Sequence, residues 1–134
     1  TGVQTCALPI LLLLNVFFNS SLAIEYAVYT SSLQDSLIES ENSKKDVLVV
    51  FTADWCDFCR KMKKDIDDNP ILLDNLIICY IDHDDHPELV KEYKVRNIPD
   101  YFLLRKGVET KRKVGYSNLN DFKKWLKNDN KHRQ

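Results

Sequence analysis

Glycine is scarce in this chain: three residues in 134, of which only Gly107 and Gly115 lie beyond the first ten positions. No glycine-rich loop is available to cradle phosphate, which removes Walker-type and dinucleotide-binding readings. An excess of either charge is also lacking. Lys and Arg number 19 and Asp and Glu 20, for a net charge of −1, so there is no general field to attract nucleic acid or an anionic membrane. Repeats and low-complexity segments are absent as well. With 44% hydrophobic and 29% charged residues, the composition is that of a folded globular domain rather than a disordered chain or a polytopic membrane protein. The length of 134 residues bounds the chain to one domain with a core of its own.

Residues 1–24 carry no charge at all. Within them Ala7 to Phe18 (ALPILLLLNVFF) is the longest apolar run. It is short for a membrane span, which needs roughly 20 apolar residues, and suits the core of a secretory signal. Ser21-Leu22-Ala23 supplies small residues for cleavage after Ala23. Residues 1–23 are therefore expected to be an export signal, with an uncleaved anchor from Ala7 to Ile24 as the rival. Cleavage would leave a periplasmic or secreted protein, not inserted in a membrane, with its domain at 24–127 and a polar tail at 128–134. Met and the basic stretch usual at the start of such a signal are missing. Thr1 to Ile10 (TGVQTCALPI) resembles a translated sequencing-adapter fragment, so Cys6 is given no role.

Beyond the leader remain Cys56, Cys59 and Cys79, which cannot all pair internally, and this argues against a disulfide-stapled miniprotein. The pattern of the mature chain alternates. Ile24–Thr30 reads as a short strand. Ser31 with Gln34 matches a capping box for a helix to about Asn42, its apolar face made by Leu33, Leu37 and Ile38. Val47–Thr52 and Leu76–Ile81 are continuous apolar runs, as in strands buried on both faces. Between them Cys59, Met62 and Ile66 repeat at helical spacing until Asn69-Pro70, after which a short helix over Ile71–Asn75 is predicted. Pro87 opens another helix, Tyr101–Leu104 and Glu109–Val114 form strands around Lys106-Gly107, and Ser117 or Asn118 caps a last helix bearing Leu119, Phe122, Trp125 and Leu126. Such an order implies an α/β fold, a central mixed sheet flanked by helices.

The chemistry concentrates at Trp55-Cys56-Asp57-Phe58-Cys59, which follows a buried strand and opens a helix. Two cysteines so spaced on a first helical turn can close a small disulfide ring. The helix N-terminus stabilises the thiolate of Cys56, making it the nucleophile, and Cys59 one turn in resolves the mixed disulfide. A purely structural disulfide and half of a metal site are the alternative readings. Ile98-Pro99 just before a central strand points to the same place. A cis proline there would leave backbone groups free to pair with an extended peptide.

These residues resemble the thioredoxin family: VLVVFTADWCDFCRKM (Val47–Met62), Tyr93-Lys94-Val95-Arg96-Asn97-Ile98-Pro99 and Lys113-Val114-Gly115, in the family's order from Ile24 to Leu126. The resemblance implies a thiol-disulfide oxidoreductase in which Cys56 attacks, Cys59 resolves, Pro99 is cis, and Trp55, Ile98 and Pro99 contact substrate. It implies a redox-active disulfide with no bound cofactor and no metal. Its partners would be protein disulfide substrates and a redox protein, with the chain acting as a monomer. The break at Asp68-Asn69-Pro70 is similar to the C-terminal domain of DsbD-type electron transporters. Val50 stands where thioredoxins usually carry a buried Asp. Asp57-Phe58 replaces Gly-Pro, and Asp100 follows Pro99 where Thr is usual. With Asp54, these carboxylates would surround the thiols, disfavour the thiolate and so favour a reductant or electron relay over an oxidase or isomerase. A non-catalytic binding module on the same fold is the rival from another class.

Other candidates are weaker. Asp82-His83-Asp84-Asp85-His86 is rich in ligand types, but its loop is expected to lie away from the helix start, with Asp85 or His86 capping the helix at Pro87. Cys79 reads as a small buried hydrophobe. Lys111-Arg112-Lys113 reads as protection of an edge strand.

Overall fold

The computed structural model describes residues 28–30 and 32–128; the proposed leader, residues 24–27 of the first predicted strand, Ser31 and the tail beyond Asn128 lie outside the described residues. Five strands form one sheet in the order β1-β3-β2-β4-β5: β1 (Val28–Thr30), β2 (Asp46–Thr52), β3 (Leu76–Asp82), β4 (Asp100–Arg105) and β5 (Val108–Val114). The first three are parallel, β4 runs antiparallel to β2, and β5 antiparallel to β4. The helices are α1 (Leu33–Ser43), α2 (Asp57–Asp67), α3 (Pro87–Glu92) and α4 (Leu119–Lys127), with a 3-10 turn at Pro70–Leu73.

The apolar runs occupy the middle of the sheet because every second side chain faces an opposite layer and both layers are covered. Val47, Val49, Phe51, Ile77, Cys79, Ile81, Phe102 and Leu104 pack under Leu33 and Leu37 of α1 and Leu89 and Val90 of α3. Leu48, Val50, Ile78, Tyr101 and Leu103 pack under Met62 and Ile66 of α2 and Phe122 of α4. Burial pushes the Tyr101 phenol up to about 12, with the charge of Asp121 adding to the effect.

Several local expectations change. The cap of α1 is Ser32, whose Oγ accepts from Asp35 N–H at 3.2 Å. Ile38 is half exposed, and Ser36 and Ser40 take the inward positions. Their hydroxyls donate to the Ser32 and Lys45 carbonyls at 2.9 and 2.6 Å, which makes burial of these polar groups tolerable. The helix predicted at Ile71–Asn75 is the 3-10 turn, begun by Pro70 one residue earlier and leaving Ile71 exposed. Asn118, not Ser117, caps α4, accepting from Asp121 N–H at 3.0 Å.

Edge protection was the wrong reading for two residues of the β5 cluster. Lys111 is only 8% exposed and its Nζ donates to the carbonyls of Trp125, Leu126 and Asn128 at 2.9, 2.6 and 3.3 Å. A cation on the last carbonyls of α4 satisfies acceptors that have no partner within the helix. Arg112 turns to the opposite face of the sheet, as described below.

Candidate active site

Strand β2 ends at Thr52, and the tight segment Ala53–Cys56 turns the chain into α2. Cys56 is the N-cap residue, with extended backbone at φ −89° and ψ 108°. Its Sγ takes the place usually held by a Ser or Asp oxygen, accepting the Cys59 N–H at 3.2 Å. Among the described residues this is the single hydrogen bond that Sγ of Cys56 is seen to accept. Cys59 lies one turn in, on the inward stripe with Met62 and Ile66, and the two cysteines form a disulfide with Cα atoms 5.2 Å apart. Both are largely buried, at 7% and 3% exposure, in a small cluster with Ala53 against which Ile98 packs.

The Ile98–Pro99 peptide bond is cis. This loop places the Ile98 carbonyl oxygen 3.8 Å from Sγ of Cys56. On its other side the Pro99 carbonyl accepts Gly115 N–H at 2.7 Å, tying the loop to the end of β5. Gly115 has φ +83° with nothing within 4 Å of where a Cβ would stand, so backbone conformation rather than space calls for glycine there. Around the disulfide Trp55 and Phe58 are 64% and 62% exposed, and Val114, at the register position opposite Asp100, is half exposed. The sulfurs are thus rimmed by apolar surface.

The three carboxylates expected around the thiols are placed differently from one another. Asp54 and Asp57 are both exposed on the turn into α2. The Arg60 guanidinium spans them, donating to the Asp54 carbonyl and to the Asp57 carboxylate. Asp100 does not face the thiols. It is 1% exposed on the sheet layer beneath α3, the layer of Phe102 and not that of α2. There it accepts two bonds from Arg112, Nε to Oδ1 at 2.8 Å and a terminal nitrogen to Oδ2 at 2.6 Å. Arg112 also donates to the Tyr93 carbonyl at 2.8 Å and lies over the Phe102 ring, which explains why this β5 residue turns inward. Asp100 is paired with the Arg112 guanidinium and turned away from the thiols. An acidic surround is therefore much reduced.

The loop after β3 is not remote from the site. Trp55 Nε1–H donates to Asp84 Oδ2 at 2.7 Å, and His83 Nδ1 lies 3.0 Å from Asp84 Oδ1. These two bonds, from His83 first and Trp55 second, hold the Asp84 carboxyl below the usual carboxylate range. His86 occupies the N-cap position of α3 without a capping bond, and its Nδ1 faces Glu88 at 3.2 Å. Asp82 Oδ1 instead organises the turn, accepting the N–H groups of Asp84 and Asp85 at 2.8 and 3.2 Å. Among the described residues no three His, Cys, Asp or Glu side chains gather closely enough to hold a metal ion. Val50 is in register with Tyr80 on β3 and Tyr101 on β4 and is fully packed, so α2 rests on an apolar layer there. The Cys79 thiol, at 0% exposure, is pushed up by burial, against a smaller opposing pull from the Ser36 and Thr30 hydroxyls, and stays protonated and inert.

Arg60 escaped the sequence reading, and Arg112 and Asp84 were read there in other roles. For Arg60 a signal existed, its i,i+3 spacing from Asp57 on a helix. For Arg112 and Asp84 none did, because their partners come from other strands and loops.

Comparison with known proteins agrees with this geometry. The family model described as Thioredoxin matches residues 25–128. The thioredoxin of Rickettsia bellii is 31% identical over 102 residues, covering 74% of this chain and 97% of that protein. A thioredoxin H-type of Fagopyrum esculentum is 30% identical over 77 residues, covering 58% of this chain and 66% of the relative. Among solved structures, thioredoxin NaTrxh from Nicotiana alata superposes with a TM-score of 0.61 at 28% identity, over 81% of this chain and 96% of that one. A mutant thioredoxin from Halobacterium salinarum shares the fold, with a TM-score of 0.62 at 22% identity, over 80% and 93% of the two chains.

Proposed function

Because the chain belongs to the thioredoxin family of thiol-disulfide oxidoreductases, we propose that it is an exported reductant, passing electrons from a redox partner protein to protein disulfides through Cys56 and Cys59. The observation that carries the direction is the bonding of Cys56. Its sulfur accepts one backbone N–H at the start of α2, and the intervening Asp57-Phe58 adds no cationic donor. A strong oxidant owes its potential to a strongly stabilised reduced thiolate. Here the helix N-terminus supplies ordinary stabilisation, and Arg60 is occupied by Asp57 and the Asp54 carbonyl. This argument replaces the one from surrounding carboxylates, since Asp100 is paired with Arg112 on the other face.

In this reading Cys56 attacks a substrate disulfide and forms a mixed disulfide, releasing one substrate thiolate. Cys59 then attacks Sγ of Cys56, closing the ring and releasing the second thiolate, and the partner reduces the ring again. Electrons move between sulfurs alone, so no bound cofactor is needed. Trp55, Phe58 and Ile98 offer the apolar rim on which a substrate segment rests, while the backbone beside cis-Pro99 orients it. The expected reduction potential of the Cys56/Cys59 couple, equilibrated against thioredoxin and glutathione buffers, is near about −270 mV; a value near about −120 mV would make the protein an oxidant and overturn the direction.

Export rests on the uncharged stretch through Ala23 and its small residues at 21 and 23. Expressed from its own leader in a bacterial host, the protein should be recovered from the periplasm with an intact mass starting at Ile24. Retention in the cytoplasm would refute export, and an attached leader in the membrane fraction would favour the anchor.

A further inference from the structure

The loop Asp82–His86 contains a bridge that the exchange chemistry above does not use. Asp84 is bonded at both carboxylate oxygens, Oδ2 by the indole of Trp55 at 2.7 Å and Oδ1 by His83 Nδ1 at 3.0 Å. Trp55 immediately precedes the nucleophile Cys56, and its ring is 64% exposed on the rim where substrate rests. The His83 backbone is itself fixed, its N–H donating to the Thr52 carbonyl at 2.8 Å at the end of β2. The Asp84 backbone is fixed too, by Asp82 Oδ1. The His83 and Asp84 end of the bridge therefore has its backbone tied to the ends of β2 and β3.

From this we infer that His83 is a pH-sensing positioning residue for thiol-disulfide exchange, acting through Asp84 on the orientation of Trp55. The inference rests on the proposed role of the rim in docking substrate. A carboxylate only accepts, so the proton between His83 and Asp84 belongs to Nδ1. When the imidazole is charged, the Nδ1–H bond is charge-assisted and Asp84 is held firmly under the indole. When Nε2 loses its proton the Nδ1–H bond to the carboxylate survives but no longer carries the imidazolium charge, and the indole is held less tightly. The other charged groups near this bridge are Asp82 and Asp85 on the same loop, His86 with Glu88 at the start of α3, and Asp54, Asp57 and Arg60 across from it on the turn into α2. His86 is engaged by Glu88, and Asp57 by Arg60. His83 is 32% exposed and Asp84 56%. Solvent at that level screens the pair, so the effect is modest.

The indole Nε1–H resonance of Trp55, followed by proton–nitrogen NMR on the oxidised protein without substrate, reads the bridge directly. Trp125 serves as the internal control, and Trp55→Phe assigns the signal. The Trp55 resonance should move with pH as the His83 imidazole changes charge. The titration should vanish in His83→Gln and in Asp84→Asn, while the Trp125 resonance stays still. The rate of exchange with a protein disulfide should exceed that of His83→Gln by about twofold to threefold at the acidic end and match it at the alkaline end, the size expected of an exposed charge pair. A Trp55 resonance indifferent to pH, or one that still titrates in His83→Gln, would overturn the assignment. An unexpectedly oxidising potential would instead refute the reductant reading and leave the indole titration standing.

Discussion

Replacing Cys59 with serine should turn the protein into a trap for its own substrates. Cys56 would still attack, held at the α2 N-terminus, but no second thiol would stand beside it to release the mixed disulfide. Turnover with dithiothreitol as donor and a model protein disulfide as acceptor should fall by about 1,000-fold or more, the scale on which removal of a catalytic nucleophile acts. Intact-mass analysis should show a covalent adduct with one substrate chain. Cys56→Ser should lose turnover to the same extent without an adduct, since Cys59 is 3% exposed and faces inward. The asymmetry tests the assignment of roles. Adduct formation by Cys56→Ser and not by Cys59→Ser would reverse attacker and resolver, and partner binding left unchanged by both Cys56→Ser and Cys59→Ser would favour the non-catalytic binding module. Both variants should fold, because the sheet and its two layers do not depend on the ring.

The second large effect concerns the pair under the cis-proline loop. Asp100 is 1% exposed and its two oxygens are both occupied by Arg112. Arg112→Met keeps an apolar stem over Phe102 but strands a buried carboxylate and an unpaired Tyr93 carbonyl. Breaking such a pair costs about 3–5 kcal/mol, and because the Arg112 side chain is 27% exposed the lower end is expected. The shift should appear as a lower urea midpoint with an unchanged slope. Combining Arg112→Met with Asp100→Leu should recover most of the loss, since the stranded charge is removed along with its partner. A single variant as stable as the parent would mean that Asp100 reaches water, and the pair would then not anchor the Pro99 loop. A potential that moved by tens of millivolts in the stable double variant would show instead that Asp100 does act on the thiols across the sheet.

Legibility of the chain followed the range of the interactions concerned. The central strands were readable because a run such as Val47–Thr52 has one physical solution, burial on both faces, and the helices of the second half because Pro87 and the Leu119–Leu126 stripe act within a turn or two. Ser31 and Ile71–Asn75 were misplaced by a single residue or turn, which local caps settle only once the neighbouring layers exist. The cysteine pair and Pro99 stood out through order and spacing. The carboxylates did not: Asp54, Asp57 and Asp100 look alike in sequence, and the sheet separates them, because successive residues of β4 face opposite layers and Asp100 falls on the layer away from α2.

The order of apolar runs, the helix-opening cysteines and the proline before β4 determined on their own an α/β fold with a disulfide-capable cysteine pair at a helix start, because hydrophobic periodicity and the needs of a small disulfide ring are local properties; the oxidoreductase reading came with the family resemblance. Tertiary structure alone decided the electrostatics: that Arg112 on β5 reaches Asp100, that Lys111 closes the end of α4, and that Asp84 comes beneath Trp55. Each of those contacts joins residues from separate elements, and a charge acquires its effect from what lies within a few ångströms of it, which only the folded chain specifies.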